Sequence, residues 1–168
     1  MTKSQANGNA ILAQQVVAQL QSQDKRIVFA ESCTAGLISA TLATVPGVSR
    51  FLCGSAVTYQ PQTKTAWINV HESTISEFSA ESSETTRAMA TGVLSQTRQA
   101  DIALAITGHL GPGAPAEKDG LIFIAIVCNS ENKRHEAQTK LATTERVERQ
   151  HEAVAFALRS LLSFWTND

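Results

Sequence analysis

Two spacings of apolar residues divide this chain. Where they recur every three or four positions a helix is predicted, and where they run together over about four to eight residues a buried strand is predicted. Leu12, Val16 and Leu20 stand four apart with Val17 beside them, while Gln14, Gln15, Gln19 and Gln21 fill the other faces, which predicts an amphipathic helix over residues 9–23 covering a sheet. Arg26-Ile27-Val28-Phe29-Ala30 reads as a strand, and Leu37-Ile38-Ser39-Ala40-Thr41-Leu42-Ala43 as a helix ended by Val45-Pro46-Gly47. Phe51 to Tyr59 is a second strand, which Pro61 stops. Residues 61–79 predict one or two short helices with a turn near Asn69-Val70-His71. Ser82 to Thr97 predicts a longer helix with Met89, Ala90, Val93 and Leu94 on its inner face and a polar Ser82-Ser83-Glu84 start.

Asp101 to Ile106 is a nearly continuous apolar run that opens into Thr107-Gly108-His109-Leu110-Gly111-Pro112-Gly113, the pattern of a central strand followed by a glycine loop. Gly120 to Cys128 is the most apolar strand, and the polar turn from Asn129 to Lys133 joins it to the alternating stretch from Arg134 to Leu141 as a hairpin. Val147, His151, Val154, Leu158, Leu161 and Trp165 then mark the inner stripe of a long helix starting near Thr144. This order predicts an α/β fold, a three-layer α/β/α sandwich with a mixed, mostly parallel sheet. One domain over residues 1–168 is expected, with about residues 1–8 as a flexible polar N-terminus. In such a fold, ligands bind beyond the carboxyl ends of the strands, where Ser32 and the glycine loop would both stand.

Composition narrows the partners. A formal net charge of −1, scattered Lys and Arg, and 5 % aromatic residues offer neither a basic face nor stacking platforms for nucleic acid. No signal-peptide core and no run of eighteen apolar residues is present, so a cytoplasmic protein with no membrane partner is expected. Cys33, Cys53 and Cys128 are odd in number and lack paired spacing, which predicts reduced thiols and no structural metal.

Several residues carry chemistry, each with a plainer alternative. Ser32 precedes a helix and can be an N-cap or a nucleophile, although neither a Gly-x-Ser-x-Gly elbow nor a Ser-x-x-Lys motif surrounds it. Cys33 is the rival nucleophile or a small core residue. Tyr59 and Lys64 are five residues apart across Pro61, unlike the four-residue helical pair of short-chain reductases, and can be a strand-end aromatic and a surface charge. The glycine loop matches neither the dinucleotide fingerprint nor a Walker loop, yet closely spaced glycines can present successive amides to an anion. His109 can donate to that anion or face solvent, His151 lies on an apolar stripe, and Arg146 and Arg149 can hold an anionic substrate or solvate a helix.

Taken together, Ala30-Glu31-Ser32-Cys33-Thr34-Ala35-Gly36, Val57-Thr58-Tyr59 with Lys64 beyond it, Thr107-Gly108 to Gly111-Pro112-Gly113, and Glu117-Lys118 before Gly120 resemble the CinA carboxy-terminal domain family, over residues 10–162. The resemblance implies a nicotinamide-nucleotide amidase that converts nicotinamide mononucleotide to nicotinate mononucleotide and ammonia without metal or cofactor. It implies Ser32 as nucleophile, Lys64 as base and Tyr59 as a hydroxyl near both, able to relay or orient the proton. Thr34, Gly36, Thr107, Gly108, Gly111, Gly113 and Arg146 are then the expected substrate-binding residues, with backbone amides after Ser32 holding the oxyanion. The partner implied is a small-molecule nucleotide, and a homodimer stays open. The chain departs from the family pattern at Ala35, at His109-Leu110 and Ala114, and at Gln150, where the family has Gly, Ile-Ala, Gly and Arg. The bulkier His109-Leu110 pair is expected to narrow the pocket, with His109 as a substitute donor the alternative. A binding or regulatory domain that keeps the pocket without turnover is the alternative function.

Overall fold

The computed structural model describes residues 3–129 and 131–166; Met1, Thr2, the turn residue Ser130 and the last two positions lie outside the described residues. Helix α1 spans Lys3–Ser22 and strand β1 Ile27–Glu31, followed by α2 at Leu37–Ala43, a single 3-10 turn at Val48–Arg50, and β2 at Leu52–Val57. Three helices come next, α3 at Pro61–Ile68, α4 at Glu72–Phe78 and α5 at Ser83–Gln96, and then β3 at Ile102–Gly108, β4 at Leu121–Cys128, β5 at Lys133–Lys140 and α6 at Arg146–Thr166. Helix α1 begins at Lys3 rather than near residue 9, so the segment expected as a polar tail is helical from there. Residues 3–8 hold Gln5 and Ala6 but also Asn7 and Gly8, so this turn forms as a continuation of a helix already anchored by Val16 and Leu20 rather than by its own propensity.

The strands lie in the order β2-β1-β3-β4-β5. β1 pairs in parallel with both β2 and β3, whereas β3–β4 and β4–β5 are antiparallel, so β4 alone runs against the other strands. The sheet is therefore mixed, with most strands pointing one way although its pairings divide evenly.

Alternation along the strands builds two cores. Ile27, Phe29, Leu104, Ile106, Ile124 and Ile126 face α1, α2 and α6. Val28, Ala30, Ala103, Ala105, Ala125 and Val127 face α3 and α5, and their small size lets Met89, Ala90 and Val93 of α5 sit close on the sheet. Helix α1 rests chiefly on α6 and α2 instead of lying across the strands itself. The connection leaving β1 passes to β2 on one face, and the one leaving β2 returns past β1 to β3 on the other. Their divergence opens a crevice at the carboxyl ends of β1 and β3.

One buried side chain fixes the edge of that crevice. Glu31, fully buried, ends β1 and accepts hydrogen bonds from Thr34 Oγ1 at 2.8 Å, from the amides of Gly36, Ile38 and Ser39 at 3.0 Å, and from Ser55 Oγ at 3.1 Å. Its main-chain carbonyl accepts the Thr58 amide at 2.9 Å. The first turn of α2 is thereby capped by a carboxylate from the strand before it.

Replacing Glu31 by Gln puts an amide group among these donors and should cost roughly 3 kcal/mol, lowering Tm by about 10 °C. Thermal unfolding followed by circular dichroism reads this directly. A Tm within a degree of the parent would show that the cap is dispensable.

Candidate active site

Ser32 follows Glu31 at the carboxyl end of β1, where its amide donates to Ile106 of β3 at 3.1 Å. The α2 cap next to it is tight, and Ala35 adopts φ 52°, the left-handed conformation that glycine takes without strain. That is one of the positions at which the sequence departs from the pattern it resembles. From the β2 end, Thr58 leads through Tyr59 and Gln60 into α3, which has Pro61 in its first turn. One turn further on, Lys64 is fully buried and points back to the strands: its Nζ donates to Ser32 Oγ at 3.0 Å and to the Thr58 carbonyl at 2.6 Å.

A lysine in this position is poised to lose its proton. Burial away from water pushes Lys64 from the ordinary 10.5 down to about 8, against the opposing pull of the Glu81 charge. The neutral amine has a lone pair for the Ser32 proton and can still donate to Thr58. Cys33 is the opposite case, because burial pushes its thiol up to about 12. It is therefore a packed side chain and not a thiolate.

A cavity of about 280 Å³ opens over Ser32. Cys33, Tyr59, Glu81, His109 and Arg146 line it together with the loop from Gly108 to Pro115. A second hollow of about 400 Å³ adjoins it, and Leu110, Gly111, Pro112 and Arg146 belong to both. Arg146, at the start of α6, donates to the Tyr59 hydroxyl at 2.7 Å and to the Gly111 carbonyl, so it straps the β2 end to the glycine loop.

Two glycines of that loop answer to close approach. A Cβ on Gly108 would stand 2.7 Å from the Leu121 carbonyl oxygen, and one on Gly111 would stand 3.0 Å from Arg149 Nη1. Arg149 itself holds Asp119 through two bonds of 2.7 Å and the Thr143 carbonyl through one of 2.8 Å. Hydrogen bonding to Arg149 keeps the Asp119 carboxyl below its ordinary range. This pair braces the loop from behind.

The expected site residues thus separate into two groups. Ser32, Lys64, Tyr59, Gly108, Gly111, Gly113 and Arg146 meet at one place, with Lys64 as the floor beneath Ser32. Tyr59 lies at the cavity, half exposed, but its hydroxyl is bonded to Arg146; among the described residues it has no hydrogen bond to Ser32 or Lys64. Thr34, Gly36 and Thr107 do not line the cavity. The Thr34 hydroxyl and the Gly36 amide go to Glu31, and the buried Thr107 hydroxyl shares a 2.7 Å bond with Thr86. Arg149, a candidate anion holder by sequence, is committed to Asp119.

The amides after Ser32 are largely spent as well. Those of Gly36, Ile38 and Ser39 serve Glu31, Ala35 donates to the Ser32 carbonyl and Leu37 to that of Thr34. Among the described residues the Cys33 and Thr34 amides of this turn bond to no other residue, and of the two only Cys33 lines the cavity. Of the His109-Leu110 pair, Leu110 is 3 % exposed and packs in the core, while His109 carries its ring to the cavity. Sequence reasoning missed Glu31 and Glu81. A carboxylate ending a strand just before a helix start was the available signal for Glu31, and no local signal marked Glu81.

The CinA C-terminal domain model matches residues 9–165. The chain belongs to this family. It is 41 % identical over 126 residues to the CinA-like protein of Dictyoglomus thermophilum, covering 74 % of this chain and 30 % of that protein. To the CinA-like protein of Syntrophotalea carbinolica it is 38 % identical, covering 76 % and 31 %. The chain therefore spans about a third of the length of the curated relatives it matches. Among solved structures, the competence/damage inducible protein CihA from Agrobacterium tumefaciens superposes with a TM-score of 0.88 at 30 % identity, covering 94 % of this chain and 95 % of that one. The competence damage-inducible protein A of Klebsiella pneumoniae gives the same TM-score at 25 % identity, covering 95 % and 98 %. The family fold accounts for nearly the whole sheet-and-helix framework around the cavity.

The buried Lys64 amine predicts a measurable stability cost. Between about pH 8 and 10.5 the unfolded chain keeps the lysine proton that the folded chain has released, so stability rises with pH across that window. Below pH 8 the whole cost of burying the ammonium is present. Lys64→Met should accordingly raise Tm at pH 7 by several degrees, a gain that shrinks as the pH climbs towards 10. Melting curves at several pH values decide it, and a gain that does not depend on pH would remove the charge from the explanation.

Proposed function

We propose that the chain is an amidase acting on nicotinamide mononucleotide, with Ser32 as nucleophile and Lys64 as general base. The observation that carries this reading is the 3.0 Å contact between Lys64 Nζ and Ser32 Oγ, made by a buried amine whose pKa lies at about 8. Neutral Lys64 takes the Ser32 proton as Oγ bonds to the amide carbon. The carbonyl electron pair moves to oxygen, where the Cys33 amide at the cavity wall is the available backbone donor. Collapse of that intermediate breaks the carbon–nitrogen bond, and the Lys64 proton leaves with nitrogen as ammonia. Water, giving its proton to the again neutral Lys64, then attacks the ester carbon, and as the bond to Oγ breaks Lys64 returns that proton to Ser32, releasing the acid product, which ionises in water.

Arg146 supports the nucleotide half of the reading. Its guanidinium stands where the two hollows join and retains N–H donors for a phosphate beyond those used on Tyr59 and Gly111. Tyr59 belongs here as the residue that orients Arg146, in place of the proton relay implied by resemblance. The reading places the protein in the cytoplasm and routes none of the steps above through a metal.

Ammonia release from nicotinamide mononucleotide by the purified protein tests the proposal. Activity should rise with pH along a limb centred near 8, because only neutral Lys64 accepts a proton. Ser32→Ala should lower turnover by about a thousandfold or more while leaving nucleotide binding in place, and Lys64→Arg should be as damaging because guanidinium keeps its proton. Cys33→Ser should stay active. Nucleotide binding by the parent without ammonia release would replace the amidase by a binding or regulatory domain.

A further inference from the structure

Glu81 is the carboxylate of the cavity that no hydrogen bond holds. Arg146 is engaged with Tyr59 and Gly111, and Lys64 with Ser32 and Thr58, but the Glu81 carboxylate has no hydrogen bond among the described residues. His109 Nε2 stands 3.9 Å from it, beyond hydrogen-bond reach and an ion pair only when the imidazole is protonated, and that ring nitrogen is itself buried without a hydrogen-bond partner. The Glu81 side chain is 31 % exposed and lines the same cavity as Ser32. It shares the hollow over Ser32 and Cys33 and does not line the adjoining one, which Arg146, Asp119 and Arg149 line.

A carboxylate held in a partly desolvated cavity without a donor attracts a cation, and one neighbouring Ser32 attracts a cation carried close to the scissile group. We propose that Glu81 determines specificity by favouring an amide borne on a cationic aromatic ring, as in an oxidised nicotinamide nucleotide, over the same amide on an uncharged ring. The substrate class is then a zwitterion whose positive ring faces Glu81 and whose phosphate faces Arg146. This rests on the amidase reading above for the identity of the reacting group, but not for the charge preference itself.

The test compares nicotinamide mononucleotide with its reduced dihydro form, which has the same amide and phosphate but a neutral ring. Binding is measured by calorimetry on the Ser32→Ala protein with and without Glu81→Gln. With Glu81 present, the oxidised nucleotide should bind about tenfold more tightly than the reduced one, and Glu81→Gln should remove most of that difference while changing the reduced form by less than about twofold. Equal weakening of both ligands would make Glu81 a structural wall, and a preference that survives Glu81→Gln would assign it elsewhere; either result overturns the inference. Ammonia release by the parent protein separates the two proposals. A Glu81-dependent ring preference without ammonia release leaves the inference standing and removes the amidase, whereas ammonia release with an unchanged preference does the reverse. Binding of neither nucleotide removes both.

Discussion

The five hydrogen bonds accepted by the Glu31 carboxylate hold the site in place. They come from Thr34, Gly36, Ile38 and Ser39 ahead of it and from Ser55 on β2, so a single buried group ties the end of β1, the first turn of α2 and the neighbouring strand together. A helix start with several unpaired amides is usually a place for a ligand anion. Here the protein supplies its own anion, and the consequence is chemical: the α2 terminus is satisfied, and of the amides after Ser32 only that of Cys33 is left at the cavity wall for a developing oxyanion. Ser32 is thus fixed from both sides, by the Ile106 carbonyl behind it and by the capped turn in front.

With the nucleophile so constrained, the base had to be brought to it. Lys64 comes from α3, on the opposite layer from α2, and reaches Ser32 only because Thr58 joins the two: its amide binds the Glu31 carbonyl and its carbonyl binds Lys64 Nζ. That arrangement is expensive in stability. An ammonium group buried at this depth is disfavoured until it loses its proton, which is the same property that makes the amine useful as a base near neutral pH. The Asp119–Arg149 pair performs a similar service for the glycine loop at lower cost, since both charges are paired and Asp119 remains partly exposed to solvent.

Local pattern and long-range contact divide what the sequence made legible. The β1–Ser32–α2 segment and the β4–β5 hairpin follow from neighbours a few residues apart, and the structure has them where periodicity and turn residues put them, while the one or two short helices expected after Pro61 prove to be two. Arg146 and Arg149 show the limit. They sit one turn apart on one helix and look alike in sequence, yet one faces the cavity and the other is sequestered by Asp119, 30 residues away in the chain. Lys64 read as a surface charge until the resemblance singled it out, because nothing near it in sequence announces its burial. Glu31 was visible as a residue but not as a role, and Thr107, expected at the substrate, bonds Thr86 instead, since the partners of both are set by packing between elements.

Lys64 and Glu81 also act on one another through the cavity. Glu81 stabilises the ammonium form of Lys64 and so works against the base, while burial works for it, and the balance leaves the amine at about 8. A cationic ring seated beside Glu81 would neutralise that carboxylate and place a like charge near Lys64. Both effects disfavour the ammonium form. Under the proposals made here, the substrate's own charge therefore helps to generate the neutral amine that the first step requires, and an uncharged analogue would forgo the contact with Glu81 and this assistance together. Selectivity and activation would then arise from one electrostatic interaction, without any movement of the rigid turn that Glu31 holds.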